Sequence, residues 1–491
     1  VTLRPYQQAS IDAAREQCAL GRRPVLVLPT GSGKTRLATH GILQPTVARG
    51  HRVLWLAHRI ELIQQAADDI RLAGITPGIL KAGVKPDPAA AVQVASVQTL
   101  VRRQPPPAHV VIVDEAHHTR SKTYGRVLEH YPEAFVIGLT ATPQRLDGRG
   151  LGAVFGAIVE VVTTEQLIAD GYLCGFRYYA PSAPDLSGVR TRAGEFDRGG
   201  AASAMVHLTG DLVEHYRRHL DGKRALVFGV RVDHSKAITD QFLSAGIPAE
   251  HLDGTTPAAE RSAALDRFRC GETLVLSNVD LFDEGFDVPD CQGVIVARPT
   301  KSLTKHRQMI GRCMRPKQDG SQAVILDHAG NIDRHGLHTD PVEWSLDGRK
   351  RPQEVAPGYR TCKECFAVAP RSAQSCPLCG AVFHVEPNPP PKHQVGDLEE
   401  ASGRRLVRRL KESIFETMLT KARVLGHKPG WAKHQFRVKT GHWPMGDVKA
   451  LVAASAAQCS HVRIVGGVCN HCGREVTHAT SPGACRSQTI P

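Results

Sequence analysis

The sequence predicts an α/β chain with two tandem domains, each a parallel sheet covered by helices, followed by a small four-cysteine module and a basic, mainly helical C-terminal region. Three observations predict it. Short β-branched runs alternate with stretches of helical apolar spacing, and the alternation restarts after about Arg177. Two Cys-x2-Cys pairs lie close together between Cys362 and Cys379, where that alternation has stopped. Beyond them the proline-rich stretch HVEPNPPPKHQ leads into a helix-patterned run crowded with arginine.

The chain has 491 residues, enough for two or three domains with a core each. A hydrophobic content of 41% with 5% aromatic residues reads as an ordinary soluble globular protein, neither disordered nor membrane-embedded. No run of about 18 apolar residues occurs. The first ten residues, VTLRPYQQAS, carry no basic-then-apolar signal pattern, so the expected setting is cytoplasmic, without a membrane partner. In a reducing compartment thirteen cysteines do not read as a disulfide framework, and a cluster of them reads as a metal site. The formal net charge of +14 favours a polyanionic partner, because neutralising phosphates releases counterions.

Taken in order, PVLVLP (24–29), RVLWLAH (52–58), VQVASVQ (92–98), VVIVDEAH (110–117) and AFVIGLTAT (134–142) read as strands buried on both faces. The second set is RALVFGV (224–230), ETLVLSNV (272–279), GVIVARP (293–299) and QAVILDH (322–328). The first strand ends in PTGSGKT (29–35) and a helical RLATHGIL. Such a strand, glycine-rich turn and helix aims backbone N–H groups and the positive helix end at a phosphate. Gly31, Ser32 and Gly33 form the cradle, Lys34 would reach the outer phosphates of ATP, and the Thr35 hydroxyl would ligand Mg2+. In VIVDEAHH, Asp114 would hold Mg2+ and Glu115 would polarise the attacking water.

With these motifs on the page, the chain resembles superfamily 2 helicases and translocases of the DEAD/DEAH-like class over residues 3–316. The resemblance implies two RecA-like domains, at 1–175 and 176–345. It implies that Gln7 and Arg4 of LRPYQ read the adenine and that His58, Arg59, Gln98 and Thr99 contact a nucleic-acid strand. It also implies that TAT (140–142) couples ATP state to domain movement. In SNVDLFDEGFDVPD, Gly285 and Asp287 would line the cleft. In QMIGRCMRP, Gln308, Arg312 and Arg315 would face the γ-phosphate from the second domain, with Arg315 the preferred arginine finger.

Cys362, Cys365, Cys376 and Cys379 form two knuckles at the spacing of a structural, tetrahedral Zn2+ site, within a module at 355–385. A linker (386–400) and a basic helical region (401–455) follow. Arg404, Arg405, Arg408, Arg409 and Lys411 crowd the latter, and Trp431, Phe436 and Trp443 either stack bases or form its own core. The tail (456–491) offers a second zinc set in Cys459, Cys469 and Cys472, with His461 as fourth ligand and His471, His478 and Cys485 competing.

Motor, four-cysteine module and basic tail together resemble the bacterial RadD family and its phage relatives. That resemblance implies ATP-dependent action on single-stranded or branched DNA in repair, recombination or phage replication, with single-strand-binding protein as a partner. An RNA-directed motor, and a zinc-bearing scaffold in which ATP acts only as a switch, remain the alternatives. The strand motifs read backbone rather than sugar, which leaves RNA open.

Overall fold

The structure, a computed structural model, describes residues 2–119, 122–144, 150–181, 183–192, 194–205, 211–282, 291–347 and 358–383, and further along 415, 417–419, 422, 427, 429–440, 464–465 and 468–469. The chain divides into two compact units, Val1–Glu386 and Pro387–Pro491.

The first unit holds two parallel sheets. In the first lobe, β1 (Pro24–Val27), β2 (Val53–Ala57), β3 (Gly78–Leu80), β4 (Val92–Ser96), β5 (Val110–Val113), β6 (Phe135–Thr140) and β7 (Ala157–Val159) align in the order β3-β4-β2-β5-β6-β1-β7. Every pairing is parallel. Helices α1 (Pro5–Ala19), α2 (Lys34–Leu37), α3 (Ile60–Leu72) and α4 (Val97–Leu100) belong to this lobe. Every residue of β1, β2 and β5 is buried, as expected for a sheet covered on both faces.

Two expected strands are shorter than the sequence suggests. VQVASVQ stops at Ser96, where its ladder partner β2 ends at Ala57, and Val97 opens α4 instead. AFVIGLTAT pairs only from Phe135 to Thr140.

The second lobe repeats the plan with β8 (Phe176–Tyr179), β11 (Ala225–Phe228), β12 (Ala249–Leu252), β13 (Val275–Asn278), β14 (Gly293–Val296) and β15 (Ala323–Asp327). Their order is β12-β13-β11-β14-β15-β8, again all parallel. Between β8 and β11 stands a two-stranded antiparallel hairpin, β9 (Thr191–Arg192) and β10 (Glu195–Phe196). It is followed by α5 (Arg198–Met205) and α6 (Asp211–Leu220), and α7 (Leu303–Gly311) precedes β15. The chain is thus a parallel-sheet α/β protein with two RecA-like domains.

Alternate strand residues sort into different cores. Val25, Leu54 and Val111 face one cluster in the first lobe. Leu26, Trp55 and Ile112 face another that is continuous with Leu226 and Phe228 of the second sheet. The lobes therefore share buried apolar surface where they meet.

The four-cysteine module is a small antiparallel hairpin, β16 (Tyr359–Thr361) and β17 (Val368–Pro370), with the knuckles at its ends. It is built into the second lobe: Ala367 bridges Tyr179, Ala180 N donates to Phe366 O at 2.9 Å, and Cys362 and Cys376 lie in the same core as Ala225 and Val227.

In the second unit, α8 (Pro429–Thr440) packs Ala432 and Phe436 against Phe415, Leu419 and Ala422. Phe436 is therefore core, in edge contact with Phe415 at 5.4 Å, and Trp431 is half-buried beside it, stacked on His427. A second short hairpin pairs β18 (Ile464–Val465) with β19 (Val468–Cys469). The linker, Arg404, Arg405, Arg408, Arg409, Lys411 and Trp443 lie outside the described residues, as do Cys459, His461 and Cys472 of the second zinc set. Of that set only the Cys469 backbone is described.

Candidate functional site

Strand β1 hands over to the phosphate loop at Pro29. Gly31 and Gly33 sit at φ +87° and +83°, backbone that side-chain-bearing residues rarely adopt, and Gly33 caps α2. Lys34 and Thr35 open that helix, whose first N–H groups have no partner within it. The chain's beginning braces the loop from below. Tyr6 Oη donates to Ser32 O at 2.5 Å, and Gln7 Nε2 reaches Ser32 O at 3.2 Å and Gly33 O at 3.3 Å. Gln7 is 1% exposed and its Oε1 accepts from Arg4 N, so its carboxamide is committed to the loop and to the start of α1. Arg4 lies 4.8 Å from the ring centre of Tyr172.

Asp114 and Glu115 follow β5 and are both buried. Glu115 is a non-glycine residue at φ +46°, a sparsely populated conformation that other contacts must hold in place. His117 supplies one such contact, with Nδ1 3.3 Å from the Glu115 carboxylate and 3.1 Å from Thr140 Oγ1. Thr140 in turn donates to Thr142 O, and Thr142 Oγ1 meets Thr304 Oγ1 of α7 at 2.9 Å. A continuous set of contacts therefore joins Glu115 to the second lobe. Burial, reinforced by the adjacent Glu115, pushes the Asp114 carboxyl up to about 7, with Lys34 pulling the other way. Two buried carboxylates facing one lysine are a setting that a divalent cation would relieve, so the residues present fit Mg2+ held by Thr35 and Asp114.

From the second lobe, α7 brings Gln308 and the turn after it brings Arg312 into the same cleft of about 450 Å3 as Arg4, Gly31, Gly33, Lys34, Thr35, Asp114 and Glu115. The helix ends at Gly311, and Arg315 lies beyond it, exposed, before Pro316, which disfavours helical backbone at its predecessor. Arg315 lines the cleft all the same. Gln308 is 2% exposed with neither carboxamide atom hydrogen-bonded, and Ser32 Oγ is buried in the same condition. Buried polar atoms of this kind call for a partner, and a nucleotide in the cleft would supply one. The lobes meet tightly here: a Cβ at Gly311 would stand 2.4 Å from Thr30 Cβ. Sequence reasoning did not assign Tyr172, Leu62, Gln65 or Ala66 to this cleft: Leu62 and Gln65 lie in AHRIELIQQ (57–65), which resembles a strand-contacting motif, and Tyr172 and Ala66 lie outside any motif. Gly285 and Asp287 lie outside the described residues.

The strand-side candidates gather at the C-terminal ends of β2 and β4. Gln98 Nε2 donates to His58 O at 3.1 Å, the His58 ring lies tilted against His118 with ring centres 4.0 Å apart, and Thr99 follows on α4. Arg59 crosses to the second lobe and donates to Asp280 O at 3.1 Å.

The sulfurs of Cys362, Cys365, Cys376 and Cys379 all lie within 4.8 Å of one another. The Cys362–Cys379 and Cys365–Cys376 pairs are 3.6 Å apart, too far for disulfides and near the ~3.8 Å edge of a tetrahedron with Zn–S bonds of about 2.3 Å. Each knuckle closes on itself, Phe366 N to Cys362 O and Gly380 N to Cys376 O, both at 2.9 Å. The donor set and its spacing fit zinc.

Comparison with known proteins agrees with this architecture. Residues 1–145 match the family described as type III restriction enzyme, res subunit, and residues 207–317 match the helicase conserved C-terminal domain. A 51.5 kDa protein of Lactococcus phage (isolate 7-9) is 34% identical over 363 residues, covering 73% of this chain and 78% of that protein. IRC3 of Saccharomyces cerevisiae, provisionally named an ATP-dependent helicase, is 31% identical over 67% of this chain, which spans only 51% of the yeast protein. The DNA 3'-5' translocase XPB2 of Sulfurisphaera tokodaii is 26% identical over 68% of this chain and 83% of its own length. Among the described residues no helix is long and apolar enough to cross a membrane. A phosphate loop and a buried acidic pair in one lobe, arginines from the other in the same cleft, and these relatives place the chain in superfamily 2 of the helicases, the nucleic-acid-dependent ATPases.

Proposed function

We propose that the chain is an ATP-dependent DNA translocase or helicase that serves DNA repair, recombination or phage replication. The observation that carries the reading is the composite cleft, where Lys34, Asp114 and Glu115 of one lobe face Gln308, Arg312 and Arg315 of the other. In this reading Lys34 and the N–H groups of the loop hold the outer phosphates, and Thr35 and Asp114 hold Mg2+, which supplies charge neutralisation between them. Glu115 orients the attacking water. Arg312 and Arg315 stabilise charge on the departing phosphoryl group only while the lobes are apposed, which ties hydrolysis to lobe movement. Tyr172 and Arg4 offer a flat, cationic face for the adenine, while Gln7 acts through the loop it braces.

His58, Arg59, Gln98 and Thr99 form the first-lobe side of the strand path, with contacts to backbone that tolerate any sequence. DNA is preferred over RNA on the likeness to the archaeal DNA translocase. Zinc at the four cysteines is structural, since four thiolates leave no open position for catalysis. Single-strand-binding protein is the protein partner this reading adds.

The test is the ATPase rate of the purified protein without nucleic acid and then with single-stranded DNA, duplex DNA and RNA. Stimulation of tenfold or more by DNA, with less by RNA, is expected. Equal or greater stimulation by RNA would move the motor to RNA, and no stimulation by either would leave ATP as a conformational switch.

A further inference from the structure

We infer that the β9–β10 hairpin of the second lobe is a nucleic-acid contact surface in which Arg190 and Arg192 grip the phosphate backbone next to the strand path. The inference rests on the motor reading above and adds an element that neither the motifs nor the relatives assign.

The hairpin is short, and its root is fixed. Val189 and Phe196 pack against the second-lobe core, and Lys301 and Arg334 lie 4.8 and 5.5 Å from the ring centre of Phe196. The Glu195 carboxylate accepts from Thr300 Oγ1 at 2.5 Å and Lys301 N at 2.7 Å, while Lys301 Nζ donates to Thr191 Oγ1. Asp197 accepts from Gly200 N at the start of α5. The acids of the segment are thus largely occupied with internal bonds. Its arginines are not: Arg190 and Arg192 are exposed, and the side chain of Arg192 remains 85% exposed even with Asp197 3.9 Å away. A pair so exposed and so long holds little of the arginine's charge.

What lies beside the hairpin gives those charges a partner. Arg198, the first residue of α5, binds Asp280 at 2.7 Å, and Asp280 also pairs with Arg298 and with Lys305 of α7. One carboxylate thus gathers three cations beside the hairpin. Arg59, one of the strand-path candidates, reaches the Asp280 carbonyl there, and Arg59, Arg198 and Asp280 line a groove of about 370 Å3 with Gly254, Thr255 and Asp253, whose carboxylate accepts from Thr255 N and Oγ1. The first turn of α7 therefore joins the two features, with Lys301 just before it clamped to the hairpin and Lys305 within it bound to the groove. A polyanion lying in the groove passes next to a rigidly rooted hairpin whose exposed side chains are cationic. Single-stranded DNA and duplex both present this chemistry.

The experiment measures affinity against salt for the full chain and for the Arg190→Gln/Arg192→Gln double variant, on single-stranded and on duplex DNA. Each phosphate contact contributes about 0.7 to the log–log salt slope on single strands and about 0.9 on duplex. Loss of both contacts is expected to reduce the slope by about 1.4 on one of these or about 1.8 on the other, and the substrate that responds identifies the strand form gripped. ATPase without nucleic acid should stay unchanged, since neither arginine lines the nucleotide cleft. Slopes equal to the parent's on both substrates overturn the inference while leaving the motor intact. If the parent itself binds no nucleic acid, the motor reading fails and the inference fails with it.

Discussion

At the scale of single residues, the cleft puts distinct demands on Glu115 and Gly311. Glu115 is held in left-handed backbone with its carboxylate against His117, a cost that makes sense where a group must be aimed rather than merely accommodated. Glu115→Gln keeps the shape and removes the charge. Turnover should drop by about 10²-fold or more, the scale of general-base contributions, while nucleotide binding persists; normal turnover in this variant would sink the proposed mechanism. Gly311 makes a separate claim, about closure. A methyl there would press on Thr30, so Gly311→Ala should hold the lobes apart and cut DNA-stimulated ATPase at least tenfold while the melting temperature stays within a few degrees. An unchanged rate would show that catalysis does not need this approach. The sequence displayed the charged and glycine-rich half of this site, because phosphate and Mg2+ chemistry accepts few residue types at fixed spacing. It did not display Tyr172, whose selection by shape leaves no pattern, nor did it reveal that Leu62 of AHRIELIQQ would face the nucleotide cleft or that Gln7 would spend its amide on Ser32 and Gly33.

At the scale of elements, the four-cysteine module is read most easily from sequence and its placement least. Two Cys-x2-Cys pairs announce a tetrahedral thiolate site wherever they occur. That Ala367 would pair with Tyr179 at the end of β8, and that Cys362 and Cys376 would join the second-lobe core, depends on contacts across nearly two hundred residues. The long, β-branched strands were legible in the same way, whereas three-residue β3 and partly exposed β12 were not, since neither gives a sustained apolar run. The β9–β10 hairpin, with two residues per strand, was invisible for the same reason. Because the module shares the second-lobe core, metal loss should reach beyond the knuckles. Cys376→Ser is expected to release one zinc per chain, lower the melting temperature of the second lobe, and weaken DNA binding more than ATP binding. Metal content equal to the parent's would refute the site.

At the scale of the whole molecule, the two lobes differ in how they carry histidine, and this predicts an asymmetric response to acid. His328, after β15, and His338, beyond α7, are buried in the second lobe, and neither ring has a hydrogen-bond partner. Burial lowers both to about 3, helped by His215 beside the first and Arg307 beside the second. His306 on α7 is driven well below its usual value by the same cause, with His335 next. The unfolded chain takes up these protons near pH 6.5 and the folded chain does not. The stability these residues allow is therefore fully present above about pH 6.5 and declines as pH falls toward the folded values. His328 and His338 alone make the decline about 3 kcal/mol per pH unit, against a domain stability of roughly 5–15 kcal/mol. Loss of the second lobe takes Arg312 and Arg315 away from the cleft while the phosphate loop and Asp114 stay on the first. Thermal melts at pH 7.5 and 5.5 should accordingly split, with the second-lobe transition moving down much further than the first, and His328→Phe should flatten that movement. A second-lobe transition that moves no more than the first between these two pH values would show that the histidines are hydrated or paired in solution.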